Sequence, residues 1–468
     1  MRRFLPLLTI LLGLVSLASA AAAKPNIVYI MADDLGIGDI GPFGQKKIRT
    51  PHLDRLAAEG TCFDQFYPGA SVCSPTRSVL MTGQHTGHTR IRGNHGKAGV
   101  SRVPLKDSDI TVAEVLKSAG YATAIAGKWG LGEPGNEGIP NRQGFDHWFG
   151  YLNNDLAEFY YPEKIWKNET EITLPGNLHG QRGQYSNDLM TEEALTFIDA
   201  HRTKPFFLYL AYTIPHSLLE VPADSLAEYA GKFPEPPPTG KGGKNDTAQP
   251  RATFAGMVTR LDREVGRVLG KLKALGLEES TIVFFCSDNG APERNGLARF
   301  FGSTGAFRGF KGSLWEGGIH APMIVRWPGK IPAGRRSDFP WAGWDFLPTA
   351  AALAGAKPPA GLDGIDVLPA LRGEMKNRPG YLYWENIQTV FAQAVRIGDL
   401  KAVRHEPAAP IQVYDLRADP GETRDLASAR PDFVARAAGL FRTARTDSEH
   451  WPVAAAGKPG KPAKQPKP

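Results

Sequence analysis

The chain has 468 residues, 42% of them apolar and 22% charged, and a formal net charge of +7. Six of those positive charges are Arg2 and Arg3 at the start and Lys458, Lys461, Lys464 and Lys467 in a Pro/Gly-rich tail, so the rest is near neutral and a nucleic-acid-binding groove finds no support. Three cysteines exclude a disulfide scaffold, and whether Cys62 and Cys286, both in strand-like runs, pair is left open.

Arg2-Arg3, an apolar run over 4–17 and Ala18-Ser19-Ala20 form the pattern of a secretory signal peptide over residues 1–20. That run is too short for a bilayer and no later one is long enough, so the expected product is secreted or periplasmic, with no membrane span. Residues 26–31 are a continuous run of strand formers ending in Ala32-Asp33-Asp34. They predict a strand buried on both faces with two carboxylates at its carboxyl end. A lone Asp-Asp is ordinarily a surface turn, because adjacent acids are costly without a neutralising charge.

Over 71–83 a small polar pentad, Cys73 to Arg77, runs into a helical apolar pattern. Pro75 suits the first turn, and Ser74 or Thr76 can satisfy free amides there. Helix start and Arg77 together favour anions. By itself the stretch reads as a nucleophilic cysteine of depressed pKa or as a buried cysteine beside an ordinary cap.

A helix is predicted over 110–119, then a strand over 121–126 that delivers Gly127-Lys128-Trp129. A second unit follows, with a helix over 191–201, a strand over 205–212 and Pro215-His216 beyond it. The third has a long apolar stripe from Phe254 to Leu275, closed by Gly276, then a strand over 281–286 ending in Ser287-Asp288-Asn289-Gly290. This alternation predicts an α/β fold with a large, mostly parallel sheet covered by helices. Ligands of such sheets bind outside the carboxyl ends of the strands, where Asp33, Asp34, Lys128, His216, Asp288 and Asn289 fall. Three carboxylates and an amide oxygen suit calcium or magnesium.

After Lys311 come a strand over 319–327, a helix over 344–353 and four short strands over 381–385, 390–397, 401–404 and 412–416, then a helix over 431–442. They predict a small antiparallel sheet with a helix. The expected division is a catalytic domain over 24–374, a subdomain over 375–452 and a disordered Lys/Pro-rich tail over 453–468. The stretch 234–244 reads as a Pro/Gly-rich loop.

Cys73-Ser74-Pro75-Thr76-Arg77, followed by Leu80, Thr82 and Gly83, resembles the Cys-x-Pro-x-Arg signature of formylglycine-dependent sulfatases. The resemblance extends to Pro25-Asn26-Ile27, Asp33-Asp34, Gly127-Lys128-Trp129, Pro215-His216, Ser287-Asp288-Asn289-Gly290, Lys311-Gly312 and Glu316-Gly317-Gly318, in order over nearly the whole mature chain. It is nearest the arylsulfatase and N-acetylgalactosamine-6-sulfatase branch and implies an alkaline-phosphatase-like core.

The resemblance implies that Cys73 becomes formylglycine through a formylglycine-generating or sulfatase-maturating enzyme. It implies one calcium ion on Asp33, Asp34, Asp288 and Asn289 that also touches residue 73. Arg77 would stabilise the attacking oxygen, Lys128 and Lys311 would hold sulfate oxygens, and His216 would protonate the leaving alcohol of a sulfated small molecule or glycan. Aromatic and polar loops over 149–166, with Tyr151, Asn153, Asn154, Tyr160 and Tyr161, would shape its pocket.

The family usually writes Gly-Lys-Trp-His-Leu-Gly, whereas this chain has Gly130 in place of the histidine that helps release sulfate. His95 and His147 are the nearest substitutes in sequence; otherwise another side chain or water takes that proton. The competing readings are a phosphonate or phosphodiester hydrolase of the same superfamily and an inactive protein that binds sulfated glycans.

Overall fold

The computed structural model describes residues 24–94, 103–237, 247–388 and 391–453. The expected signal peptide, His95, most of the 234–244 loop and nearly all of the tail lie outside them.

Eleven strands build one sheet: β1 (Asn26–Ala32), β2 (Thr61–Tyr67), β3 (Ala122–Lys128), β4 (His147–Tyr151), β5 (Lys164–Lys167), β6 (Thr170–Thr173), β7 (Phe206–Ala211), β8 (Thr281–Ser287), β9 (Ala321–Arg326), β10 (Arg335–Ser337) and β11 (Trp341–Ala342). Their order is β10-β2-β9-β8-β1-β7-β3-β4-β5-β6, with β11 also beside β2. The central strands β8-β1-β7-β3-β4 are all parallel. Alternate residues of β1 feed opposite cores: Ile27, Tyr29 and Met31 face one, Val28 and Ile30 the other.

The first core takes α2 (Cys73–Thr82), α3 (Val112–Ser118) and Phe346–Ala354; the second takes α1 (Pro51–Ala58), α4 (Ser186–His201) and the 25-residue helix Pro250–Ala274. Thr111 and Glu114 start α3 with a reciprocal capping box.

The antiparallel sheet β12 (Leu382–Asn386), β13 (Ala392–Ile397), β14 (Leu400–Arg404) and β15 (Gln412–Asp415) lies between the main unit and helix Pro431–Thr443. Trp384, Ala394 and Val403 face Tyr67 and Trp344, whereas Val395, Ala402 and Val413 face Phe433, Ala437 and Phe441. Polar groups also bind the two units. Lys401, 0% exposed, pairs with Glu316 at 2.9 Å and with Glu422 at 2.8 Å.

Several expectations change. The strand expected over 319–327 starts at Ala321, after a helical turn Glu316–Ile319, and runs antiparallel to β8 and β2. Between β8 and β9 the helices Leu297–Phe301 and Glu316–Ile319 are too short to carry the chain across the sheet, so it re-enters from the edge it left. The stretch 149–166 is not all loop, because it contains the end of β4 and most of β5. Cys62 and Cys286 are free: β9 separates their strands, and about 9.5 Å is too wide for a disulfide.

Candidate active site

The carboxyl ends of four parallel strands meet at one edge of the sheet. Asp33 and Asp34 follow β1, Lys128 ends β3, His216 lies past β7, and Asp288 and Asn289 follow β8. Asp34 has φ +68°, a left-handed turn that Asp tolerates, and its N–H donates to Asp288 Oδ1 at 3.1 Å. Helix α2 brings Cys73 and Arg77 beneath this edge, both buried, and Gly83 ends it with φ +67°. Neither Ser74 nor Thr76 caps the helix as expected. The Ser74 N–H donates instead to Asn94 Oδ1 at 2.9 Å, and the Thr76 hydroxyl bonds back to Val72 O at 3.1 Å.

Every sequence-predicted site residue enters this cluster. Lys128 Nζ is 2.6 Å from Asp33 Oδ2, and Lys311 Nζ is 2.5 Å from Asp34 Oδ1 and 3.2 Å from Cys73 Sγ. Arg77 Nη2 bridges Asp33 at 3.3 Å and Asp288 at 3.2 Å, and its Nη1 donates to Lys128 O at 2.7 Å. His216 Nε2 is 3.5 Å from Asp34 Oδ2 and 4.0 Å from Asp33 Oδ1. Asn289 Nδ2 donates to Asp34 Oδ1 at 2.7 Å, while its Oδ1 is buried with no partner.

Charge balance sets the protonation states. Burial alone would raise the Asp33 carboxyl, but Lys128, His216, Arg77 and Lys311 hold it well below the usual carboxylate range. Asp34 opposes the same burial with Lys311, His216 and Arg294 and stands at about 2. Asp288 is pushed up to about 7 by burial and by Asp33, which Arg77 only partly offsets.

Burial also pushes the Cys73 thiol up to about 12, helped by Asp33. The depressed pKa that its place at a helix start suggests is therefore absent: the sulfur is a neutral thiol and a poor nucleophile as it stands. Burial takes His216 down to about 3, against the pull of Asp33 and Asp34, so the imidazole is neutral.

Arg294 is the charged member that sequence reading missed. It pairs with Asp34, and its Nη1 donates to Pro215 O at 2.8 Å. It follows Asp-Asn-Gly by a few residues in a segment with no periodicity, so only the acidic pair needing a counter-charge hinted at it.

His147 takes no part. It opens β4 at the opposite edge of the parallel sheet and bonds Glu193 at 3.1 Å. Among the described residues, the groups hydrogen-bonded to the Cys73 sulfur are Lys311 and Asp33, the latter at 3.5 Å, so no replacement for the missing histidine appears there.

The donor set fits a hard divalent cation. One donor atom each from Asp33, Asp34, Cys73 and His216 lies within 4.8 Å of the others, Asp288 joins Asp33 through Arg77, and Asn289, bonded to Asp34, keeps an amide oxygen with no hydrogen-bond partner among the described residues.

Comparison with known proteins agrees with this constellation. The sulfatase family model matches residues 25–356, and the model of the N-sulphoglucosamine sulphohydrolase C-terminal region matches 305–434. N-acetylgalactosamine-6-sulfatase of Mus musculus is 34% identical over 85% of this chain and 75% of its own length. Arylsulfatase A of Homo sapiens is 34% identical over 89% of this chain and 86% of its own. A solved structure of Ps i-CgsB in complex with k-i-k-neocarrahexaose superposes with a TM-score of 0.75 at 28% identity, covering 92% of this chain and 95% of that one. With its Cys-x-Pro-x-Arg helix start set among carboxylates and lysines at the edge of an alkaline-phosphatase-like sheet, the chain belongs to the sulfatase family of sulfuric ester hydrolases, in the branch of N-acetylgalactosamine-6-sulfatase and arylsulfatase A.

Proposed function

We propose that the protein is an exported sulfatase that cleaves the sulfate ester of a sulfated sugar or glycan, with Cys73 converted to formylglycine and one calcium ion held by Asp33, Asp34, Asp288 and Asn289. The carrying observation is the crowd around Cys73: four cations and three carboxylates gathered on a thiol too weakly acidic to act as a nucleophile. When present, the hydrated aldehyde supplies the attacking oxygen and the cation draws charge from the sulfate.

Lys128, fully buried, and Lys311, its side chain 16% exposed, bring the positive charge that sulfate oxygens require, in a setting where it is worth more than in water. Arg77, fully buried and locked by Asp33, Asp288 and Lys128 O, steadies the oxygen on residue 73. His216 hydrogen-bonds the bridging oxygen through its ring N–H; as a neutral imidazole it can give the departing alcohol a proton only after taking one up from water, which the negative charge of a bound sulfate favours. With Gly130 in place of a histidine, water or His95, which lies outside the described residues, takes the proton at the release step. Calcium suits the donors.

Cys73 is 1% exposed, so the maturating enzyme must meet it before the chain folds. A sulfated sugar is favoured because one similar protein is an N-acetylgalactosamine-6-sulfatase and another is seen with an oligosaccharide. No helix among the described residues is long and apolar enough to cross a membrane, which accords with export. The division near residue 375 is proposed on the same footing, β12 to β15 being the separate sheet.

The test pairs peptide mass spectrometry of residue 73 with release of inorganic sulfate from 6-sulfated N-acetylgalactosamine. An aldehyde at residue 73 and no release by Cys73→Ala are expected. Full activity with an unmodified thiol would overturn the reading.

A further inference from the structure

The side chain missing at Gly130 leaves a polar notch. A Cβ at that position would lie 3.0 Å from Asn154 Oδ1, 3.3 Å from Ser74 Oγ and 3.7 Å from Arg77 Cδ. Asn154 Nδ2 donates to Ser74 Oγ at 2.7 Å, which ties the loop after β4 to the residue next to Cys73. Asn154 Oδ1 has no partner among the described residues, although the residue is only 8% exposed. A buried acceptor left unpaired costs about 1–3 kcal/mol, so this oxygen calls for a donor. Gly130 itself is half-buried, so solvent reaches the rim of the notch.

The same loop is fastened on the far side of the site. The Tyr160 hydroxyl donates to His216 O at 2.9 Å and Thr213 O at 3.0 Å, and the Tyr151 hydroxyl donates to Phe159 O at 2.5 Å. Between these anchors Leu156–Glu158 makes a 3-10 turn closed by the Phe159 N–H on Leu156 O. Residues three apart on such a turn lie on one side, which sets Leu156 and Phe159 next to each other. They are 45% and 47% exposed, and the other large apolar side chain standing exposed among the described residues is Ile110 at 43%. Two of these three thus sit on one turn, strung between the neighbour of Cys73 and the backbone of His216.

We propose that residues 153–159 form a sugar-reading wall, in which Asn154 Oδ1 accepts a substrate hydroxyl in the Gly130 notch and Leu156 and Phe159 cover the apolar face of the adjoining ring. A pyranose offers that combination of hydroxyl edge and C–H face, whereas a simple aryl sulfate has no hydroxyl to give Asn154. The inference rests on the sulfatase reading and narrows its substrate to a sulfated glycan bearing a free hydroxyl near the ester.

The matured enzyme is assayed on 4-nitrophenyl sulfate and on 6-sulfated N-acetylgalactosamine, 6-sulfated glucosamine and 4-sulfated galactose disaccharides. On the disaccharide turned over fastest, Phe159→Ala should cost about tenfold in kcat/KM, mostly through KM, with the aryl sulfate changed less than about twofold, while Asn154→Ala, which also frees Ser74, should cost about 10- to 100-fold there and clearly less on the aryl sulfate. Calorimetric binding of the same disaccharides to Cys73→Ala protein should weaken by like factors. Thermal melts keep this test clean, since Phe159 is exposed and its truncation should leave the midpoint unchanged. Equal losses on both substrate classes, no loss on the sugars, or turnover of the aryl sulfate alone would each overturn the wall. Failure to release sulfate from any of them would instead sink the formylglycine reading, and binding to Cys73→Ala protein would still decide the wall.

Discussion

Replacing Lys401 by Met should turn the joint between the two sheets into a pH-dependent weakness. Lys401 is fully buried between Glu316 and Glu422, and Glu422 Oε2 also accepts the Glu316 N–H at 2.7 Å. Methionine fills the volume but leaves two buried carboxylates without their shared cation. Breaking a buried pair from one side costs about 3–5 kcal/mol. At about 2 cal/mol/K of unfolding entropy per residue, that is a drop of about 3–5 °C in melting midpoint for a chain of this size.

The pH dependence separates this mechanism from a packing defect. In the native protein burial would raise Glu316, but Lys401, His320 and Arg396 hold it well below its usual value. Its contribution is therefore present above about pH 4.5 and lost as pH falls through the folded value. In Lys401→Met, burial prevails and both glutamates take up protons in the folded state. Stability should then recover as pH falls from 8 towards 5, a window over which the parent's Glu316 contribution is constant. Denaturant melts at pH 8, 6.5 and 5 give the answer. A loss that is the same at all three, or one below about 1 kcal/mol at pH 8, would refute the reasoning.

Asp288→Ala should lower sulfate release by several orders of magnitude and abolish calcium-dependent stabilisation, read as a midpoint shift on adding calcium after chelation. Arg294→Ala, which strips Asp34 of one partner while Lys311 remains, should cost about 10- to 100-fold in kcat/KM, with Arg294→Lys recovering part of it. Gly130→His should not restore a faster enzyme. Residue 130 sits at φ +79° with its Cβ crowding Asn154, so thermal melts should show a loss of about 1–2 kcal/mol.

Runs of strand formers ending in polar residues were readable because a parallel strand buried on both faces must be apolar throughout and must discharge its chemistry at one end. Asp33, Lys128, His216 and Asp288 were found in that way. Strand direction was not readable: the residues of β9 are as apolar as those of β8, and only the lack of a crossover helix made it antiparallel. Strands β5 and β6, at the sheet's edge and largely exposed, carry too many polar residues for the pattern to mark them. Arg294 escaped notice because its role depends on Asp34, 260 positions away. Which of the two readings of Cys73 holds was not legible for a related reason: the sequence shows a helix start and an arginine, but not the burial and the Asp33 carboxylate that outweigh them.

The first strand of the chain occupies the middle of its sheet, and that has a cost in time. Strand β1 pairs with β7 and β8, whose partners for Ile27 are Phe207 and Ile282. A ribosome working at about 5–20 residues per second takes about 10–50 s to reach the second of these. Throughout that interval a strand with no charged side chain between Ile27 and Ala32 has at least one open edge. The nascent chain therefore needs shelter for β1 long before any site exists, and truncations ending ahead of β8 should aggregate even though they contain Cys73 and its helix entire.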